Sequence, residues 1–192
     1  MKIIVTNDDG IYSPGILELK KAMELLGSVT LVAPDVQKSG VGHSITFSHP
    51  LRVRDVYTNG DFIGYGIDGS PADCVKLAVR EILKERSQLL VSGINIGANV
   101  GINVLYSGTV AAAIEGALLG IPSVALSLEI SESAPDVKGA AETAKDIIAL
   151  IMKKELPRGT LLNVNIPNIS KDKIKGVKIT KQFSGDFDEH YE

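Results

Sequence analysis

With 192 residues, 44% of them hydrophobic, the chain has enough apolar material for one domain with a real core, which excludes global disorder. A formal net charge of −3 with no basic stripe excludes the electrostatic footprint of a duplex nucleic-acid binder, while a small anionic substrate stays compatible with local dipoles or a bound cation. A single cysteine, Cys74, excludes an internal disulfide framework.

Cys74 lies in an amphipathic pattern beside Val75, Leu77 and Ala78 and reads as a buried structural thiol, not a nucleophile. The first residues already form a strand, so no signal peptide is expected, and no apolar stretch is long enough to span a bilayer. A cytoplasmic location is the expectation.

Residues 2–7 form a continuous apolar run of the kind buried on both faces of a parallel sheet. Pro14 opens a helix whose apolar face is Ile16, Leu17, Leu19, Ala22, Met23 and Leu26, with Gly27 as its stop. Val29 to Ala33 is the second strand, ended by Pro34, and a polar loop runs from Asp35 to Ser44. Around residues 45–67 short alternating segments, Leu51 to Arg54 and Phe62 to Tyr65, flank the turn signal Asn59-Gly60-Asp61. They predict an antiparallel hairpin excursion from the main sheet.

Ser70-Pro71-Ala72-Asp73 supplies an N-cap, a proline at N1 and an acid at N3 for a helix to about Glu85. Leu89 to Val91 is the next buried strand, ending at Ser92-Gly93. The loop over residues 93–107, rich in glycine and asparagine, is long enough to suggest function. Ala111 to Leu119 is a small-residue helix closed by Gly120, and Pro122 to Leu128 is a strand. A helix over 137–153 and strands over 161–166 and 177–180 complete the chain. The βαβ rhythm predicts a Rossmann-like, doubly wound α/β fold: a mostly parallel sheet flanked by helices, forming a single domain over residues 1–192.

The chemistry concentrates where strands end. Asn7-Asp8-Asp9-Gly10 closes the first strand, and in an open α/β sheet ligands bind beyond the carboxyl ends of the strands. Two adjacent carboxylates there cost stability unless a cation or proton lies between them; the plainer alternative is that an aspartate caps the following helix. Three further oxygen-rich loops reach the same edge: Gln37-Lys38-Ser39-Gly40, Ser92-Gly93-Ile94-Asn95 and Tyr106-Ser107-Gly108-Thr109. Carboxylates, amides and hydroxyls without a Cys or His cluster suit Mg²⁺ or Mn²⁺ rather than zinc. Ser107, Gly108 and Thr109 start a helix, whose free N–H groups and dipole make a phosphate cradle or are simply capped by one of these hydroxyls.

His43, in the loop after the second strand, has the reach of a general acid for a leaving group, although a solvated loop histidine is the preferred reading; His49 and His190 offer less. A literal G-x-G-x-x-G at Gly64, Gly66 and Gly69 is discounted, because a dinucleotide fold needs it in the first βα turn.

The order of these blocks resembles the SurE family of survival-protein nucleotidases. The similarity begins at Ile4-Val5-Thr6-Asn7-Asp8-Asp9-Gly10, continues through Val32-Ala33-Pro34-Asp35, Ser39-Gly40 and His43-Ser44-Ile45-Thr46, and includes Gly69 to Val75. It then covers Val91 to Asn95, Gly97, Asn99, Gly101 and Ser107 to Ala113. The resemblance implies a metal-dependent phosphatase, a 5′-nucleotidase acting on nucleoside monophosphates, with 3′-nucleotidase and polyphosphatase activity as further options. It implies one divalent ion, Mg or Mn, per subunit on Asp8, Asp9, Ser39 and Asn95, and a phosphate pocket lined by Ser107, Gly108 and Thr109. Gly40, Gly93 and His43 are the remaining candidates for substrate contact. Asp8 and Asp9 are the catalytic candidates, orienting or deprotonating a water activated by the ion. Family members usually continue beyond the point where this chain reaches Asp186 to Glu192, into a hairpin and arm exchanged between subunits; the implied homodimer or higher homo-oligomer depends on that arm.

Two rivals share the acidic first turn. A phospho-receiver domain needs an acceptor aspartate where Ser92-Gly93 stands, and a haloacid-dehalogenase-type phosphatase needs alternating, not adjacent, aspartates. A non-catalytic nucleotide-binding module has no need of acidic ligands, because helix dipoles suffice.

Overall fold

A computed structural model of the chain describes residues 1–182 except 155 and 158. Seven strands form one sheet in the order β3-β4-β2-β1-β5-β6-β7. They are β1 (Lys2–Thr6), β2 (Ser28–Pro34), β3 (Val53–Thr58), β4 (Asp61–Ile67), β5 (Leu89–Ile96), β6 (Ser123–Leu128) and β7 (Leu161–Ile166). Every neighbouring pair is parallel except β3 with β4. The helices are α1 (Pro14–Glu24), α2 (Pro71–Leu77), α3 (Asn103–Tyr106), α4 (Gly108–Leu118) and α5 (Val137–Ile151).

The sheet separates two cores. Ile3, Val5, Leu89 and Val91 face α1 and α5, packing with Ile16, Leu19, Ala144 and Ile148. Ile4, Leu90 and Ala125 face the other way, onto Val75, Val110 and Ala113 of α2 and α4. Alternation along each strand therefore feeds both layers, as a doubly wound sheet requires. The chain leaves β1 toward β2 and β4, then returns to the opposite side of β1 as β5. The turn after β1 thus sits at the topological switch point, where the crevice of such sheets opens.

Local chemistry accounts for most boundaries. Ser13 caps α1, followed by Pro14 at its first position. Ser70 and Asp73 form a reciprocal capping box on α2, again followed by proline. Asn59 and Gly60 both take positive φ, at 54° and 89°, and close the two-residue β3–β4 hairpin.

Several expectations need correction. The antiparallel hairpin is present as β3 and β4, and the refinement is that β4 also joins the main sheet parallel to β2, leaving only the edge strand β3 reversed. Close approach explains the discounted glycines, since a Cβ on Gly64 would lie 2.4 Å from the Leu31 carbonyl oxygen and one on Gly66 would lie 2.6 Å from Asp35 Oδ1. The second helix stops short of Glu85; its last turn, Ala78–Ile82, is a π turn closed by Leu83 N–H on the Ala78 carbonyl at 2.9 Å. Gly27 is not a left-handed cap; α1 ends at Glu24 with Leu25 as its C-cap, and Gly27 is small because a Cβ would lie 2.1 Å from the Met1 carbonyl oxygen.

Residues 177–180 form no strand. Val177 and Ile179 alternate with Lys178 and Thr180 as a strand would, yet they are 65% and 97% exposed and no ladder partner lies beside them among the described residues. The loop expected over 93–107 is shorter, because β5 continues to Ile96 and α3 adds one turn. His190 and the terminal run Asp186 to Glu192 lie outside the described residues. No described helix is long and apolar enough to cross a membrane.

Candidate active site

The turn after β1 is built by Asn7, not by the aspartates. Asn7 Nδ2 donates to the Gly10 carbonyl at 3.0 Å and to Ser13 Oγ at 2.8 Å, and Gly10 N–H donates back to Asn7 Oδ1 at 3.2 Å. Ser13 caps α1, so neither Asp8 nor Asp9 is spent on the helix and the capping alternative falls away. Gly10, at φ 95°, allows the turn.

Asp8 is 4% exposed and points at the start of α4. Its Oδ1 accepts the hydroxyl hydrogen of Thr109, and a Cβ on Gly108 would lie 2.7 Å from Asp8 Cβ and 3.0 Å from Oδ2. Gly108 is therefore glycine because the carboxylate lies against the helix backbone. Burial raises the pKa of Asp8, and hydrogen bonds from Thr109 and nearby backbone oppose that rise. Asp9 is pushed up to about 6, first by burial and then by the charge of Asp8. Burial and the like charge together disfavour ionised Asp9, a cost that a neighbouring cation would relieve.

The loop after β2 closes over the pair. Lys38 N–H donates to the Asp8 carbonyl at 2.7 Å. Gln37 Nε2 donates to Ser39 Oγ at 2.8 Å and reaches Asp9 Oδ1 at 3.4 Å, so one amide joins Asp9 to Ser39. Gly40, at φ 70°, has open space where a Cβ would be. On the other side, Ser107 caps α4, its Oγ accepting from Val110 N–H at 3.2 Å. Capping by Ser107 and the Asp8 contact of Thr109 divide the two hydroxyls between separate tasks.

Asn95 stands at the end of β5, the strand beside β1. Its Nδ2 donates to the Gly97 carbonyl at 2.7 Å, leaving Oδ1 as the atom available to a cation. The structure records no contact between Asn95 and the aspartates. Gly93, at φ 139°, packs so tightly on β6 that a Cβ would lie 2.4 Å from the Leu126 carbonyl oxygen; its glycine identity answers to packing. Below these loops, Thr6 and Ser92 are register partners whose hydroxyls are buried without a hydrogen-bond partner among the described residues.

His43 is a solvent-exposed loop residue, as expected, and its recorded side-chain partner is Glu115 and neither aspartate. Its Nε2 lies 2.9 Å from Glu115 Oε2 on the second turn of α4, so the ring is held at one nitrogen while the residue stays exposed. His49 touches only the neighbouring Pro50 carbonyl.

Sequence reasoning missed three contributors. Gln37 was visible only as part of a polar loop, although its spacing to Ser39 allows the bridge. Glu115 had a signal: it is the one acid in a helix of small and apolar residues. Asn99 is buried, with Nδ2 on Ser127 Oγ at 2.8 Å and its carbonyl accepting from Asn163 and Asn165 at 2.8 and 3.1 Å. Those contacts tie the loop after β5 to β6 and β7.

No described cluster contains three or more His, Cys, Asp or Glu residues, so a cation here must take neutral oxygens alongside the two carboxylates. Two carboxylates, a hydroxyl and an amide oxygen form an all-oxygen donor set, which fits a hard divalent ion.

Comparison with known proteins identifies the family. The family model described as survival protein SurE matches residues 3–189. The 5′-nucleotidase SurE of Syntrophobacter fumaroxidans is 48% identical over 182 residues, covering 95% of this chain and 72% of the relative. Its counterpart in Geobacter sulfurreducens is 42% identical over 187 residues, covering 97% and 70%. The crystal structure of the SurE protein from Aquifex aeolicus superposes with a TM-score of 0.88 at 45% identity, over 96% of this chain and 73% of that one. On matched residues, fold and the loops gathered at one sheet edge, the chain belongs to the SurE survival-protein family.

Proposed function

We propose that the chain hydrolyses phosphomonoesters of nucleoside monophosphates as a metal-dependent 5′-nucleotidase, the activity named for its relatives in Syntrophobacter and Geobacter. The observation that carries this reading is the juxtaposition of the Asp8–Asp9 pair with the N-terminus of α4: a cation position beside an anion position. Asp8, Asp9, Ser39 and Asn95 would hold one divalent ion, with Mg²⁺ and Mn²⁺ both suited to such oxygens. When bound, the ion supplies Lewis-acid polarisation of a phosphoryl oxygen and lowers the pKa of water.

The chain's own residues divide the remaining work. Thr109 fixes Asp8 through Oδ1, so Asp8 is assigned to holding the ion. Asp9 has only the longer 3.4 Å contact from Gln37, which leaves its carboxylate freer to orient the attacking water and accept its proton. The positive end of the α4 dipole stabilises charge building on the equatorial phosphoryl oxygens, while the backbone at Gly108 and Thr109 also serves the Asp8 carboxylate. Ser107 keeps that terminus in place by capping it. Gly40 follows Ser39 with open space at its Cβ position, which leaves room for a substrate phosphate. The whole chain is read as one α/β domain, and any subunit assembly as homo-oligomeric.

The test is phosphate release from a panel of nucleoside monophosphates with Mg²⁺, with Mn²⁺, and after chelation. Activity is expected only with a divalent ion and is expected to vanish in Asp8→Asn. Turnover that survives chelation, or survives that substitution, overturns the proposal.

A further inference from the structure

Glu115 is a buried carboxylate, its side chain 9% exposed, on a helix otherwise made of small and apolar residues. Such a charge is kept only where it is paired and hydrogen-bonded. Its partners come from two other elements: His43, in the loop that carries Ser39, at 2.9 Å from Oε2, and Lys76, at the end of α2, at 3.7 Å from Oε1. Against an ionised carboxylate, which only accepts, His43 Nε2 must be the donor. One acid therefore joins the loop after β2 to the helix whose first turn touches Asp8.

Neighbouring contacts give the link direction. Gly42 N–H donates to the Tyr106 carbonyl at 2.9 Å, one residue before the cap of α4. Ser70 Oγ donates to the Ser44 carbonyl at 2.6 Å, and Thr46 N–H donates to Asp73 Oδ1 at 3.1 Å. The loop is thus fastened to α2 beyond residue 44 and to the end of α3 at residue 42. The His43–Glu115 contact is the recorded side-chain tie from this loop directly to α4.

We infer that His43 and Glu115 are positioning residues: the pair latches the Ser39 loop onto α4, holding the cation-side hydroxyl in register with the anion-side helix terminus. This rests on Ser39 serving the metal position proposed above. Neither side chain touches the substrate position, and the pair acts through the placement of Ser39.

Removing one partner strands a buried charge, whereas removing both is nearly neutral for folding, so the double variant separates placement from stability. The test uses the whole chain with His43→Ala, His43→Gln, the pair His43→Ala with Glu115→Ala, and Asp8→Asn. Amide hydrogen exchange is read without metal and Mn²⁺ binding is read by calorimetry. In the double variant, amides of residues 37–44 are expected to exchange faster and Mn²⁺ to bind roughly tenfold more weakly, the equivalent of one charge-assisted hydrogen bond. Its melting temperature is expected to stay near the parent's and kcat at saturating Mn²⁺ to change less than about twofold, since placement is bought back by excess ion. His43→Gln, which still donates, is expected to restore both readouts. Unchanged exchange and unchanged Mn²⁺ affinity in the double variant overturn the latch. Asp8→Asn is the separate control: if it binds Mn²⁺ like the parent, the metal position fails, and loop exchange alone then judges the latch.

Discussion

Asp9→Asn makes the electrostatics of the candidate site measurable as folding stability. In the folded chain Asp9 titrates at about 6 against an ordinary value of 3.8, so between those limits the native state holds more protons than the unfolded one. Stability then falls as pH rises through that window, because ionising Asp9 in the fold works against burial and against Asp8. A two-unit shift corresponds to about 3 kcal/mol, which partial solvent contact reduces to about 2 kcal/mol. Asparagine escapes this cost. In chelator at pH 7.5 the variant is expected to melt roughly 4–8 °C above the parent, and at pH 4 the two are expected to coincide.

Divalent ion reverses the comparison. At a concentration near 100 times its Kd it stabilises the parent by about 2.7 kcal/mol and leaves the variant nearly unmoved. The assay is thermal unfolding followed by circular dichroism across pH 4 to 8, with chelator and with Mn²⁺. A variant less stable than the parent in chelator at pH 7.5, or a gap that does not change with pH, refutes the paired-carboxylate reasoning.

Other substitutions probe separate parts of the frame. Thr109→Val removes the hydroxyl that Asp8 accepts from, raising the Asp8 pKa further; kcat/KM is expected to fall roughly 10- to 100-fold, and steady-state kinetics check it. Gly108→Ala places a Cβ 2.7 Å from Asp8 Cβ, so phosphate release is expected to drop by at least as much while circular dichroism stays native-like. Gly15→Ala directs a methyl to 2.3 Å from the Ile94 carbonyl oxygen, forcing α1 off β5; a loss of roughly 1–3 kcal/mol in urea unfolding is expected.

Much of this frame was readable before any coordinates. Apolar runs at residues 3–5 and 89–91 announced strands buried on both faces, and Ser70-Pro71 with Asp73 announced a helix start, because these signals are local. The same reasoning placed Asp8, Ser39, Asn95 and Ser107 at one sheet edge, since parallel strands deliver their following loops together. What local pattern does not contain is partnership. Nothing within residues 61–67 tells a hairpin arm from a parallel neighbour of β2, and Val177 and Ile179 alternate without a strand to receive them. The bond from His43 to Glu115 spans 72 positions, so the exposed loop histidine was legible and its partner was not.

The clasp on Asn99 gives the site an order of assembly in time. The aspartates are among the first residues made, but the carbonyl of Asn99 is gripped by Asn163 and Asn165, both on the last strand of the sheet. At ordinary synthesis rates these amides follow Asp8 by on the order of 10 seconds. A nascent chain that has already folded β1, β2 and α1 carries the acidic turn and the Ser39 loop, yet its β5 loop has nothing to close against. The last described strand therefore supplies contacts that the β5 loop lacks until β7 has paired with β6.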